Sequence, residues 1–89
     1  MPFLFIRHRV KDFDVWKAVF EADVEMQLKA GFHLRRILRD VDDPATVSVF
    51  FEVDDLAEAR AFTQAESARD HAQAAGVIGM PEGWWMEEA

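Results

Sequence analysis

The chain has 89 residues and a formal net charge of −7, with ten Lys and Arg against seventeen Asp and Glu. Nucleic acid and anionic membranes repel such a chain at long range, so neither is an expected partner. It has no cysteine, which excludes disulfides, thiolate metal sites and thiol nucleophiles and fits a reducing cytoplasm. No stretch approaches the roughly 18 apolar residues of a membrane span. The opening MPFLFIRHRV lacks a basic region before its apolar run and a small-residue cleavage site, so a cytoplasmic protein is expected. The hydrophobic fraction is 51%, with eight Phe and three Trp. That is more apolar surface than one small core readily hides, and it predicts a single domain over residues 1–89 that has a partner.

Pro2–Val10 reads as a first strand, with Leu4, Ile6, His8 and Val10 on one side and Phe3, Phe5, Arg7 and Arg9 on the other. Asp12 then suits a helix N-cap, and Asp14 suits the positive end of the helix dipole. Phe13, Trp16, Phe20, Val24 and Leu28 recur at three- and four-residue steps, which predicts one helix ending at Gly31. Phe32–Asp40 is a second strand, with Phe32, Leu34, Arg36 and Leu38 alternating against His33, Arg35, Ile37 and Arg39. Val41–Pro44 is a turn, since Pro cannot donate to a ladder and Asp favours turn positions. Ala45–Val53 carries the strongest strand signal: Val47, Val49, Phe51 and Val53 form an apolar face, and Thr46, Ser48, Phe50 and Glu52 a mixed one.

Asp55-Leu-Ala-Glu58 resembles a capping box, and Leu56, Ala59 and Phe62 or Thr63 give the helical step that follows it. Ser67 with Asp70 restarts or continues that helix, with Ala68, His71, Ala72 and Ala75 lining a small-residue face up to Gly76, so this segment is expected to be kinked. Val77–Glu88 reads as an irregular lead, punctuated by Gly79, Pro81 and Gly83, into a last strand around Trp84-Trp85-Met86.

The order strand, helix, strand, strand, helix, strand predicts an α+β, ferredoxin-like split βαββαβ sheet with both helices on one face. Phe3, Phe5, Ile37, Phe50 and one of Trp84 and Trp85 then remain on the bare face. Leaving such a patch in water costs roughly 25 cal/mol per Å² of apolar area, so two sheets are expected to stack face to face as a homodimer.

The stretches RHRVKDFDVWKAVF, DDPATVSVFFEVDDLAEARAF and AGVIGMPEGWW resemble those of the dimeric α/β-barrel superfamily. That group holds antibiotic-biosynthesis-monooxygenase-like domains, polyketide cyclases and small stress-associated proteins. The resemblance covers nearly the whole chain and implies a dimeric α/β barrel with a small-molecule cavity, either between sheet and helices or inside the dimer. It implies no single activity, because the superfamily spans cofactor-free oxygenases, haem-degrading enzymes, isomerases and non-catalytic ligand-binding domains. Haem-degrading members use an Asn with a Trp and a His, and this sequence has no Asn.

Among groups able to do chemistry, His8 lies between Arg7 and Arg9 and reads either as a neutral base of lowered pKa or as a hydrogen-bonded core histidine. His33 reads as a base or as a surface residue, and His71, set among alanines, as a packed or partly exposed one. Glu52 reads as a general base desolvated by Phe50 and a Trp, or as half of a cross-strand ion pair. No HxxxH or HxH spacing occurs and no metal or other cofactor is expected. Arg7, Arg9, Arg35 and Arg36, with Lys11 and Arg39, concentrate cations in an acidic chain. If Arg7 and Arg35 share a cavity with Phe5, Phe50 and Trp85, they could hold a carboxylate or phenolate over an aromatic floor. The alternative fate of these arginines is pairing with Glu52, Glu87 or Glu88. No GxSxG, Ser-His-Asp order or phosphate-binding glycine loop supports a hydrolase or a nucleotide enzyme.

Two functions remain. One is a cofactor-free monooxygenase, isomerase or cyclase acting on a small aromatic or polyketide-like molecule, with Arg7 or Arg35 stabilising an oxyanion and His8, His33 or Glu52 moving the proton. The other is a non-catalytic, ligand-binding or stress-associated dimer. They differ in whether an arginine and a titratable group converge in an open pocket.

Overall fold

The computed structural model describes residues 1–89, with side chains described for residues 1–65 and 68–89. The elements in chain order are β1 (Phe3–Val10), α1 (Phe13–Ala22), α2 (Val24–Lys29), β2 (Phe32–Arg39), β3 (Thr46–Val53), α3 (Leu56–Gln64), α4 (Glu66–Ala74) and β4 (Val77–Met86). The four strands form one antiparallel sheet in the order β2-β3-β1-β4, so β3 and β1 are central and β2 and β4 are edges. This is the expected ferredoxin-like α+β arrangement.

Period-two patterning in β3 and β1 selects the buried side of the sheet. Val47, Val49, Phe51 and Val53 from β3 join Leu4 and Val10 from β1 in the core. Each such side chain contributes roughly 1.5–3 kcal/mol when fully buried. Helical residues complete the cluster: Trp16 stacks on Phe20 at 4.9 Å, and Phe32 meets Phe62 at 5.2 Å between ring centroids. All helix-borne members of the core pack on this one side, which leaves the opposite side uncovered by helices.

The caps fall where the sequence places them. Asp12 accepts from the amides of Asp14 and Val15 at 2.9 and 3.2 Å, satisfying donors that the first turn leaves free. Asp55 does the same for Glu58 at 2.9 Å. The second helical segment is broken at Ala65, whose extended backbone (φ −66°, ψ 147°) separates α3 from α4. The part expected of Ser67 in restarting the helix lies outside the described side chains.

Two expectations need correction. The first helix is not continuous to Leu28: it stops at Ala22, and Asp23 (φ −94°, ψ −2°) turns the chain into the short α2. Asp is a poor helix-interior residue, and this one reaches His71 of α4, with Oδ2 3.4 Å from Nδ1. Leu28, assigned to the apolar stripe, is consequently exposed.

The second correction concerns β2. Its alternation is interrupted by a β-bulge: Leu34 pairs with Phe51 and Arg36 with Phe50, so Arg35 is an extra residue. From that point every side chain changes face. Ile37, expected on the bare side, instead packs against the core, and Leu38 takes its place in the open. Arg39 also turns to the helix side, its guanidinium carbon 4.0 Å from the centroid of Phe13.

β4 has its own irregularity. Arg7 pairs with Glu82 and Arg9 with Ile78, so Gly79, Met80 and Pro81 stand against His8 alone. Gly79 has φ +71°, and Met80 projects into solvent.

Candidate functional site

The uncovered face of the sheet carries a stripe of aromatic rings running across three strands. Phe50 of β3 lies 5.7 Å from Phe3 and 5.9 Å from Phe5 of β1, and Phe5 lies 5.5 Å from Trp84 of β4. Register dictates this grouping, since Phe5 pairs with Phe50 on one side and with Trp84 on the other. Aromatic side chains at such cross-strand positions lie within reach of one another.

At one end of the stripe the face sinks into an open cleft of about 390 Å³, lined by Phe3, Arg35, Arg36, Phe50 and Glu52. Its polar wall holds Arg35, Arg36 and Glu52, two of which pair with each other. The Arg35 Nε donates to Glu52 Oε1 at 3.1 Å, across the β2-β3 ladder. Beside the cleft, His33 stands opposite Glu52 on the ladder, and its Nε2 lies 3.0 Å from Asp54 Oδ1. Asp54 follows the end of β3 directly, and its amide donates to the Gly31 carbonyl at 3.0 Å, which ties it beside the start of β2. Gly31 is required there. Its φ is +86°, and a Cβ on it would sit 3.3 Å from the Asp54 Cβ.

Of the residues singled out in the sequence, His33, Glu52, Arg35, Phe50 and Phe5 thus share one face and one region. Arg7 shares the face but not the cleft. It stands opposite Ser48, four strand positions or about 13 Å from the level of Glu52. There it pairs with Asp40. Beside it Arg9 approaches Asp43, at 3.5 Å. The Thr46 hydroxyl, donating to Asp43 at 2.8 Å, holds that carboxyl below the usual range, with Arg9 adding to the effect.

His8 and Trp85 lie on the other side of the sheet. His8 pairs with Val47 and rests against Trp16 at 5.5 Å between ring centroids. Neither of its ring nitrogens has a partner among the described residues, so the expected hydrogen-bonded histidine lies against the core without the hydrogen bonds. Burial lowers its pKa from the ordinary 6.5. Trp85 is opposite Leu4 and packs against the core, with Arg60 above its ring at 5.7 Å. It lines a separate, smaller hollow with Leu56, Arg60, Met86 and Glu87.

Sequence reasoning put Phe3 and one Trp of the pair on the bare face and Arg36 among the clustered cations without assigning them to the site, and it missed Asp54. Phe3 shares the parity of Phe5, which put both on the bare face, and the same parity brings it to the cleft. Trp84 is the member of the Trp pair that the register puts on the open face. Arg36 was hidden by the bulge, and Asp54 lies just past the strand, where alternation carries no information. Among the described residues no group of three or more His, Asp or Glu side chains could hold a metal ion, and no helix is long and apolar enough to cross a membrane.

Comparison with known proteins gives the class of fold. No family model and no curated protein matches the sequence. Solved structures do. An antibiotic biosynthesis monooxygenase is similar over 100% of this chain and 99% of its own, at 15% identity and a TM-score of 0.74. A Bordetella bronchiseptica protein whose name proposes the same activity reaches a TM-score of 0.80 at 11% identity, over 99% and 96% of the two chains. The cofactor-independent oxygenase SnoaB of Streptomyces nogalater matches at 17% identity and a TM-score of 0.76, over 99% and 92%. The chain therefore shares the fold of these structures over essentially its whole length.

Proposed function

We propose that the 89 residues act as one ferredoxin-like unit that pairs with a second copy through the open sheet face, enclosing a space for a small aromatic or polyketide-like molecule. The proposed activity on that molecule is cofactor-free oxygenation, in the cytoplasm. The observation that carries the reading is the aromatic stripe running into a cleft lined by two guanidinium groups, with the His33–Asp54 pair beside it, His33 standing opposite the cleft residue Glu52. The SnoaB match supports the type of chemistry.

In this mechanism the ring of the substrate lies on Phe50 and Phe3. With His33 Nε2 donating to Asp54, Nδ1 is the nitrogen left to take a proton from an acidic C–H or phenolic O–H. The guanidinium of Arg35 faces the oxygen on which negative charge develops. The resulting carbanion passes electrons to dioxygen. One oxygen atom forms the new carbonyl and the other leaves as water with the two displaced hydrogens. Glu52 serves as the partner that holds Arg35 and not as the base, since its carboxylate is engaged.

Oxygen uptake with a hydroxylated anthrone tests this. The expected result is one dioxygen consumed per quinone formed, with loss of turnover in His33→Ala. Binding without uptake across a panel of hydroxylated aromatics would favour a non-catalytic, ligand-binding or stress-associated dimer. That second reading has its own support, because His33 and Glu52 are each already paired with a charged side chain.

A further inference from the structure

Within the reading that the cleft receives a small aromatic molecule, we propose that Arg35 and Arg36 form a two-guanidinium clamp selecting ligands that carry a carboxylate. Consecutive residues of a regular strand point to opposite faces, so two adjacent arginines cannot ordinarily serve one site. The bulge between Leu34 and Arg36 removes that restriction, and both side chains line the cleft. Bulges re-aim side chains in this way next to binding and active sites.

Their hydrogen bonding leaves both arginines available. Glu52 takes only the Nε of Arg35, so the Nη1 and Nη2 edge has no partner among the described residues. Arg36 makes no hydrogen bond or ion pair among the described residues. The other strand arginines are all engaged: Arg7 with Asp40, Arg9 with Asp43, and Arg39 with the Pro44 carbonyl and the Phe13 ring. The cleft wall therefore holds two cations against one anion, an excess of one positive charge in a chain whose net charge is −7. Charges farther away than a Debye length, about 8 Å at physiological salt, are largely screened, so an anion in the cleft responds to this local excess. A planar carboxylate matches the parallel N–H donors of a guanidinium edge. The rings of Phe3 and Phe50 supply the apolar surface for the rest of the ligand.

Calorimetric titration with naphthalene-1-carboxylate and the matched neutral naphthalene-1-carboxamide tests the clamp on the intact protein. The acid is expected to bind at least tenfold more tightly than the amide. Arg36→Gln is expected to weaken the acid about tenfold and leave the amide unchanged, with Arg36→Lys intermediate because it keeps the charge and loses the fork. Equal affinities for acid and amide in the parent protein would overturn the clamp while the aromatic cleft stands, and this comparison does not depend on any variant folding. A loss in Arg36→Gln that is equal for both probes would overturn it too. Binding of neither probe would remove the aromatic cleft itself, and the clamp with it.

Discussion

His8→Leu is expected to make the protein more stable. The neutral imidazole has one donor and one acceptor, and in the fold both ring nitrogens are shielded from solvent and have no partner among the described residues. An unmet buried polar group costs about 1–3 kcal/mol. Leucine occupies similar space opposite Val47 and against Trp16 without carrying that penalty. A gain of about 2 kcal/mol would raise Tm by roughly 10 °C in a domain of this size. The pH dependence sharpens the test. Because burial lowers the folded-state pKa of His8 below 6.5, the unfolded chain binds its proton more readily than the folded one. The parent therefore keeps its full stability above pH 6.5 and loses stability as the pH falls through that value. In His8→Leu this component is absent, so the gap between variant and parent should widen from pH 7.5 to pH 5.5. Urea unfolding at the two pH values measures both effects. A variant less stable than the parent, or a gap that does not change with pH, would refute the account of His8 as an unpartnered core group.

Three further substitutions probe other parts of the structure. Phe50→Asp puts a charge at the centre of the aromatic stripe and should convert a dimer to monomer in light scattering, and an unaltered dimer would mean that this face is not the interface. Gly31→Ala places a β-carbon 3.3 Å from the Asp54 Cβ at φ +86°, and should cost about 1–2 kcal/mol in chemical denaturation. Asp12→Ala removes the acceptor for two first-turn amides of α1 and should lower stability by about 1 kcal/mol in the same assay, whereas no change would show that the cap bonds are offset in the unfolded chain.

The parts of the fold that could be read in the sequence are those in which a local pattern has a single cause. Val47, Val49, Phe51 and Val53 alternate because one face of β3 is core, and Asp12 and Asp55 stand where helices leave amides free. The bulge in β2 left no such mark. FHLRRILRD has no Gly, Asn or Pro to announce an irregularity, and Leu34 and Ile37 reach the same core through an insertion that only pairing with β3 reveals. That one residue decided where Arg36 and Ile37 went. The break at Asp23 was hidden because the apolar steps from Phe13 to Leu28 run across it without interruption. For the site, shared parity put Phe5, Phe50 and Glu52 on one face correctly. It could not tell which Trp of the pair belonged there, because that depends on how β4 aligns with β1 across the Gly79–Pro81 irregularity.

The edges of the sheet have a consequence for assembly. An exposed strand edge is a template on which another chain can add, layer upon layer, toward fibrils. Here one edge strand is studded with Arg35, Arg36 and Arg39, and its bulge spoils the spacing of its outer amides. The other contains Pro81, which offers no amide, at a bend three residues wide. Lateral growth is blunted at both margins, and the broad apolar face remains open to contact. Copies that meet through that face exhaust it in one event, which favours a closed pair over an open-ended ladder.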